Sequence, residues 1–387
     1  MAISSWISDG LGMIVGFLVC LIPLIVVHEI GHFVMARWIG VWAREFGIGY
    51  PPRITKLFKW RETEFTLNWL PLGGFVRLEG EQTFAEEQSA IAELDGVEAP
   101  PPLTEEEKEE AHRHSLYAQP PGKRILLYLG GPLMNILTAW VLATLLFTTG
   151  IPMARVIIDE IAPESPAAEA NLQVGDIIVA VNGETVESTT DVSLYIQKSL
   201  DEPAELLLER EGQPVTVSLT PRANPPAGQG AMGVIIGGID SGQLKQYPLG
   251  ESFVYGSRLL GNIVGMTVFF PVYVIRGLIP IEHARPVGVI GISQIAQRSV
   301  EDSISTGAVY PILNLLILVS VSLGIFNLLP IPALDGGRIL FAIVEKIRRK
   351  PLTPALEERI HMVTLMLLAA LFVFITIMDI VAPISLP

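Results

Sequence analysis

Two histidines and a glutamate stand together in an apolar stretch near the start of the chain, in the run His28-Glu29-Ile30-Gly31-His32. On a helix, His28 and His32 lie one turn apart on the same face, so both imidazoles can reach one zinc ion, and Glu29 can act as general base on a water there. An ionisable residue that faces lipid costs on the order of 2.5 kcal/mol, so some interaction must compensate the cost of placing these three residues in an apolar stretch. The alternative interpretation is a polar helix-packing patch or a proton relay.

A hydrolytic zinc site usually has three protein ligands and a water, so the two histidines need a third ligand. The chain contains a single cysteine, Cys20, which excludes a cysteine cluster and leaves His, Asp or Glu. Asp335 follows another apolar run, within a Leu-Asp-Gly-Gly sequence, and is the candidate. Taken alone, Asp335 also fits a helix-terminating turn. Pro330 and Pro332 interrupt a regular helix, which membranes tolerate only beside protein or a watery cavity.

The elements that must position these residues are predicted to be membrane helices. Half of the 387 residues are apolar, only 17% are charged and the mean hydropathy is +0.48, whereas soluble domains are about 25% charged. About 20 helical residues cross a bilayer, and four apolar runs reach that length: residues 11–36, 125–151, 309–334 and 362–382. The predicted fold class is a polytopic α-helical membrane protein with four transmembrane helices, a small β-hairpin loop and an inserted exterior α+β domain.

Lysine and arginine flank only some ends of the apolar runs. The basic clusters lie at residues 37–59, 123–124 and 346–350. By the positive-inside rule these ends face the cytoplasm, which places both termini and residues 152–306 outside.

Residues 252–280 form a further apolar stretch that contains Arg258, Asn262, Pro271 and Arg276. A fifth crossing there would reverse everything after it and carry Asp335 to the opposite surface from His28. We therefore predict an interfacial amphipathic segment.

The net charge of −14 is concentrated in two segments. Residues 81–115 contain eleven acidic and two basic side chains, and residues 152–240 contain fourteen acidic and four basic ones. The remainder has a basic bias, as expected in an anionic membrane. A nucleic-acid partner is excluded because it needs a basic surface.

The two chemical motifs together resemble those of the site-2 protease family of intramembrane zinc metalloproteases, which carries HExxH on one span and LDG on a later one. Residues 71–76, Pro-Leu-Gly-Gly-Phe-Val, are similar to the sheet-forming loop of that family, and Gly131-Pro132-Leu-Met-Asn135 resembles its second-span motif. The order of segments is most similar to the bacterial regulator of sigma-E protease branch.

The resemblance implies a zinc cofactor with His28, His32 and Asp335 as metal ligands. It also implies that Glu29 is the catalytic base and that Asn327 supports the substrate or the transition state. The roles of Gly131 and Asn135 stay undefined.

The activity implied is cleavage of the transmembrane segments of single-pass membrane proteins, of the anti-sigma-factor or remnant-signal-peptide type, in regulated intramembrane proteolysis. The expected location is the bacterial inner membrane, with the active site toward the cytoplasm. A catalytically inactive membrane scaffold is the alternative function, and an ion or metal transporter is a third class. A transporter predicts a polar path across the membrane, whereas the ionisable groups gather at one depth.

The inserted domain resembles one PDZ module, with a possible peptide ligand. Met153–Ile161 alternates apolar and polar residues like a strand, and residues 165–178 are similar to the PDZ helix and the turn that follows it. Asn171 stands where many relatives have Gly, and Asn is the next-best residue for a left-handed conformation.

The loop after the first span is predicted to contain two short strands, Glu62–Leu70 and residues 72–78. We expect an exposed edge at Phe75–Leu78 to pair with an unwound substrate by strand addition. The alternative is a hairpin that merely fills the loop.

These inferences divide the chain into seven predicted segments: 1–36 (transmembrane helix 1 with HExxH), 37–123 (cytoplasmic loop with a membrane-associated β-hairpin and the acidic segment), 124–151 (transmembrane helix 2), 152–240 (PDZ domain and tail), 241–308 (interfacial amphipathic segment), 309–350 (transmembrane helix 3 with LDGG) and 351–387 (transmembrane helix 4).

Overall fold

The computed structural model describes residues 2–80, 104–226, 228–279, 286–350 and 354–381, so most of the acidic segment predicted at 81–115 lies outside the described residues. The chain separates into two units. The helical unit comprises Met1–Thr148 and Pro248–Pro387, and the inserted domain comprises Thr149–Tyr247.

The described residues form ten helices: α1 (Ala2–Ile39), α2 (Glu105–Arg113), α3 (Pro121–Thr149), α4 (Pro166–Glu169), α5 (Thr189–Gln197), α6 (Leu249–Ile275), α7 (Val289–Thr306), α8 (Tyr310–Asn327), α9 (Asp335–Arg348) and α10 (Pro354–Val381). They also form eight strands: β1 (Ala43–Trp60), β2 (Thr63–Leu78), β3 (Ile151–Ile161), β4 (Ile177–Val181), β5 (Glu184–Thr185), β6 (Ala204–Arg210), β7 (Gln213–Leu219) and β8 (Val234–Lys245).

Five of the described helices are long and apolar enough to cross a membrane, so the prediction of four is wrong in its helix count. They are Gly16–Ile39 of α1, all of α3, α6 and α8, and Arg359–Val381 of α10. The additional helix is α6, which covers the stretch predicted to be interfacial. The interfacial prediction rests on Arg258, Asn262, Pro271 and Arg276 and on the reversal that a fifth crossing would cause. In the structure, the helix continues through Pro271, and Arg276 is its C-cap.

Helices α1, α3 and α8 pack together around small residues. A Cβ added at Gly130 of α3 would lie 2.5 Å from the carbonyl oxygen of Gly31 in α1, so the two backbones touch. The Ser320 hydroxyl of α8 donates to the Asn135 carbonyl of α3 at 2.8 Å. The order of these contacts along the helices shows that α1 and α8 run parallel to each other and that α3 runs antiparallel to both.

Strands β1 and β2 form a long, bent hairpin rather than the two short strands predicted. The first half of β1 pairs with both ends of β2, so the sheet runs in the order 74–78, 43–48, 63–68, 53–60. Both predicted strands belong to β2, and their partner β1 was missed. Buried Phe46 and half-buried Phe65 pack against Phe33 of α1, with ring centroids 5.8 Å apart in each pair.

A buried carboxylate joins the segments of this hairpin. Glu45 accepts from Thr66 Oγ1 at 2.6 Å and from Arg53 Nη2 at 3.1 Å. Arg77 Nη1, on the edge segment 74–78, lies 3.2 Å from the other carboxylate oxygen. The charge pairs offset the desolvation of Glu45, whose exposed fraction is 5%.

The inserted domain is an antiparallel sheet of order β7-β6-β4-β3-β8, with β5 paired to β4. Its core is apolar and includes Ile158, Ile178, Leu206 and Leu208, each at most 1% exposed. Ser165 caps α4 by accepting from the Ala168 amide. Asn171, just after α4, has φ +55°, as the left-handed conformation expected there requires.

Candidate metal centre

Three predicted metal-binding side chains converge at one point in the helical unit. His28 Nε2 lies 3.1 Å from Asp335 Oδ2, His32 Nε2 lies 3.2 Å from the same oxygen, and the two Nε2 atoms are 3.2 Å apart. Helix α1 supplies both histidines from successive turns of one face, and each is 8% exposed. Within the described residues, these are the His, Cys, Asp or Glu side chains that cluster closely enough to hold a metal ion.

Asp335 reaches the histidines because the chain leaves the helical conformation after α8. Helix α8 ends at Asn327, and Asp335 is the first residue of α9, so it opens a helix instead of ending one. A Cβ at Gly336 or Gly337 would overlap the carbonyl oxygens of residues 328–331, so the proline-containing connection can fold tightly on the start of α9. The paired glycines thus allow the approach of Asp335.

The three side chains fit a zinc ion. Ligand atoms of a tetrahedral zinc site, with bonds of about 2.0–2.1 Å, lie about 3.3 Å apart, close to the spacing observed here. Two imidazole nitrogens and a carboxylate oxygen are the donor types that zinc takes in hydrolytic sites. Gly131 adjoins this point, since a Cβ added there would overlap His32 Nε2 and lie 2.6 Å from His28 Nε2.

The Nδ1 atom of each imidazole also has a polar neighbour, on α3. His32 Nδ1 donates to the Leu127 carbonyl of α3 at 3.0 Å. A carbonyl only accepts, so the proton of His32 is on Nδ1 and the lone pair of Nε2 faces the metal position. His28 Nδ1 faces the amide of Asn135, whose nitrogen is 3.4 Å away.

A cavity of about 430 Å³ opens at the metal-binding side chains. Glu29 and Asn327 both line it, as a catalytic base and a substrate-supporting residue would need to. A Cβ at Gly74 would lie 3.3 Å from Glu29 Cγ, so the hairpin adjoins this carboxylate. Asn327 Nδ2 donates to the Leu323 carbonyl at 3.0 Å. The segment 74–78 forms one wall of the cavity.

The sequence analysis missed further polar side chains of the cavity, among them Arg338 and Tyr50. Arg338 lies one turn after Asp335 on α9 and over the ring of Tyr128, and its i+3 spacing from Asp335 could have indicated it. Tyr50 enters from the bend of β1, which no local pattern predicts. Partial burial, and secondarily the charge of Glu29, raise the pKa of Tyr50, so its hydroxyl stays protonated at neutral pH.

The sequence profile of peptidase family M50 matches residues 16–371, a range that includes every member of the metal centre. The chain belongs to peptidase family M50. The zinc metalloprotease RasP of Geobacillus kaustophilus is 29% identical over 437 aligned positions, which cover 96% of this chain and 98% of that protein.

Membership of family M50 agrees with the geometry. The chain is a zinc metalloprotease of the site-2 type, its His-His-Asp cluster is the metal site, and its substrates are proteins. Membership of this family excludes the alternatives of a helix-packing patch, a proton relay and a transporter.

Solved structures of PDZ domains align with part of this M50 protease. The crystal structure of the PDZ domain of an SdrC-like protein from Listeria monocytogenes aligns at 18% identity with a TM-score of 0.20, covering 22% of this chain and 90% of that chain. The corresponding PDZ domain from Listeria innocua aligns at 20% identity with a TM-score of 0.19, covering 21% and 92%.

Proposed function

We propose that this M50 protease cleaves the transmembrane segments of single-pass membrane proteins, of the anti-sigma-factor or remnant-signal-peptide type, in regulated intramembrane proteolysis. The observation that carries the proposal is the position of the metal centre. His28 and His32 lie inside the apolar stretch Gly16–Ile39, and Asp335 follows the apolar helix α8. A peptide bond reaching this site comes from a segment at membrane depth.

Glu29 is proposed as the catalytic base because it lines the cavity beside the metal-binding side chains. Zinc bound there supplies Lewis-acid polarisation of a peptide carbonyl and activation of water. The Glu29 carboxylate takes the proton of the attacking water and returns it to the leaving amine. The Asn327 amide, in the same cavity, holds the substrate carbonyl or the oxyanion by donating a hydrogen bond.

The edge segment 74–78 is proposed to hold the substrate in extended form. A transmembrane helix hides its carbonyls in i to i−4 hydrogen bonds, so it must unwind before cleavage, and each freed backbone group in lipid costs several kcal/mol. Strand addition at a sheet edge replaces those bonds. The support is that this segment is both an edge of the hairpin sheet and a wall of the metal cavity.

For the membrane, we propose the bacterial cytoplasmic membrane with the active site toward the cytoplasm. The basic clusters at residues 37–59 and 346–350 support that orientation. Both termini and the inserted domain then lie outside. We propose that the inserted domain is a PDZ module open to a peptide ligand.

The activity is tested on the full chain in detergent, with zinc content and cleavage of a model transmembrane substrate measured together. Glu29→Gln is expected to keep one zinc per chain and lose turnover, because it removes the base and leaves the ligands. Asp335→Ala is expected to lose both turnover and tight zinc binding, because one of three ligands is gone.

Three outcomes would count against the proposal. Loss of zinc in Glu29→Gln would make Glu29 a ligand. Full activity of Asp335→Ala would remove Asp335 from the centre. One zinc per wild-type chain without cleavage of an unwindable substrate would favour the inactive scaffold.

A further inference from the structure

Asn135 of α3 carries a buried polar group that the proposed mechanism does not use. Its side chain is fully buried, and its Oδ1 has no hydrogen-bond partner among the described residues. A buried acceptor left without a donor costs about 1–3 kcal/mol. The Nδ2 of the same amide lies 3.4 Å from His28 Nδ1.

The protonation of His28 follows from what surrounds its other nitrogen. His28 Nε2 converges with His32 Nε2 and Asp335 Oδ2, so its lone pair must face the metal position. A neutral imidazole that binds through Nε2 carries its proton on Nδ1. That N–H needs an acceptor, as the His32 N–H has in the Leu127 carbonyl.

The Asn135 amide can supply this acceptor. With Nδ2 toward His28, two donors face each other while an acceptor stays unused. The two ends of a carboxamide have similar size, and their hydrogen bonds decide which end points where. A 180° turn about the Cβ–Cγ bond brings Oδ1 to the His28 Nδ1–H and pairs this donor with an acceptor. The NH2 group then takes the former position of Oδ1.

We infer that Asn135 is a positioning residue of the metal centre: its Oδ1 accepts the Nδ1–H of His28 and holds the ring with Nε2 toward zinc. An acceptor at this place fixes the orientation and tautomer of the ring and raises the basicity of the ligand nitrogen. The two histidines then have matching supports, both on α3. The inference concerns zinc binding and holds whichever protein is cleaved.

The test compares two variants of Asn135 in the full chain in detergent. Asn135→Leu keeps the approximate volume and removes the acceptor, whereas Asn135→Asp keeps an acceptor oxygen and removes the NH2 donor. The zinc dissociation constant is measured by competition with a chromogenic chelator at fixed pH. We expect Asn135→Leu to weaken zinc binding by about 10- to 100-fold and Asn135→Asp to bind zinc at least as tightly as wild type.

Ser320→Ala is the matched control. It removes a buried hydrogen bond to the Asn135 carbonyl without touching the amide, and zinc affinity should not change. Thermal unfolding of the zinc-free chains shows which variants fold, and Asn135→Ala replaces Asn135→Leu if the latter does not. Wild-type zinc affinity in Asn135→Leu would overturn the inference. Equal losses in the Asp and Leu variants would do so too, because they would show that the NH2 group or mere packing matters.

Discussion

Gly131 leaves the space in which the two imidazoles meet. Any side chain there would collide with both Nε2 atoms, since the added Cβ would lie 2.6 Å from that of His28 and closer still to that of His32. Such a side chain would displace the imidazoles from the positions in which both Nε2 atoms converge with Asp335 Oδ2.

We therefore expect Gly131→Ala to weaken zinc binding at least about tenfold, which corresponds to about 1.4 kcal/mol. Gly122→Ala is the matched control, because it lies on the same helix and a Cβ there would have no atom within 4 Å. Zinc affinity is measured for both variants by chelator competition. Equal affinities in the two variants would show that the rings have room that the structure does not indicate.

At this scale the ligands could be predicted from the sequence and their supports could not. His28 and His32 follow from helical spacing alone, and Asp335 from a charge after an apolar run in a chain with one cysteine. The contacts of Gly131 and Asn135 depend on how closely α3 approaches α1. Two glycines in contact, Gly31 and Gly130, set that approach, and no local pattern gives the distance between helices.

Among the elements, the β1–β2 hairpin forms one wall of the metal cavity and is proposed to bind the substrate. Glu45 holds its segments together from within, with Arg53 on one outer segment and Arg77 on the other. Removing one partner of a buried charge pair leaves the others uncompensated. The partial exposure of Arg53 moderates this cost through solvent screening.

Glu45→Gln is expected to destabilise the hairpin by about 2–3 kcal/mol and to slow cleavage of a transmembrane substrate while zinc stays bound. Amide hydrogen exchange across β1 and β2 reports the first effect, the cleavage rate reports the second, and zinc content shows that the metal stays bound. Lys56→Gln is the control, because its pair with Glu64 is exposed and contributes about 0–1 kcal/mol. If hydrogen exchange shows a loosened hairpin in Glu45→Gln but the cleavage rate is unchanged, this sheet does not contribute to substrate binding.

The hairpin also shows where sequence patterns stop predicting elements. Alternation identified β2, but residues 53–60 of β1 are exposed on both faces and carry no alternation. Their strand conformation comes from pairing with residues 63–68, a contact between segments. Helix α6 shows another limit of local patterns. It is long and apolar enough to cross a membrane, and it continues through Pro271 to a C-cap at Arg276, but whether it crosses depends on the segments that follow it.

For the whole molecule, the metal centre restricts how the chain can be threaded through the membrane. Helices α1 and α8 are parallel and both lead into the site, so an odd number of crossings must lie between them. Helix α3 supplies one crossing. If α6 supplies a second, then α7 must make a third. The number of crossings between α1 and α8 is therefore odd in two cases only: α6 and α7 both cross, or neither does. Helix α7 has three exposed charges, Arg298, Glu301 and Asp302, which lipid disfavours, so we expect that α7 does not cross. Helix α6 is long and apolar enough to cross, but without a crossing by α7 it cannot do so and keep α8 parallel to α1.

Labelling of single cysteines in intact cells with a membrane-impermeant maleimide tests this arrangement. The one native cysteine, Cys20, is buried, so the wild type reports the background. We expect Glu211→Cys, in the inserted domain, and Leu278→Cys, after α6, to react from outside, and Lys350→Cys, after α9, to react only in opened cells. A different result would be that Glu211→Cys reacts in intact cells while Leu278→Cys reacts only in opened cells. That result would mean that α6 crosses the membrane and that the chain crosses back before α8. Lys350→Cys that reacts from outside would reverse the proposed orientation, because α9 begins at the metal centre and would carry the active site with it.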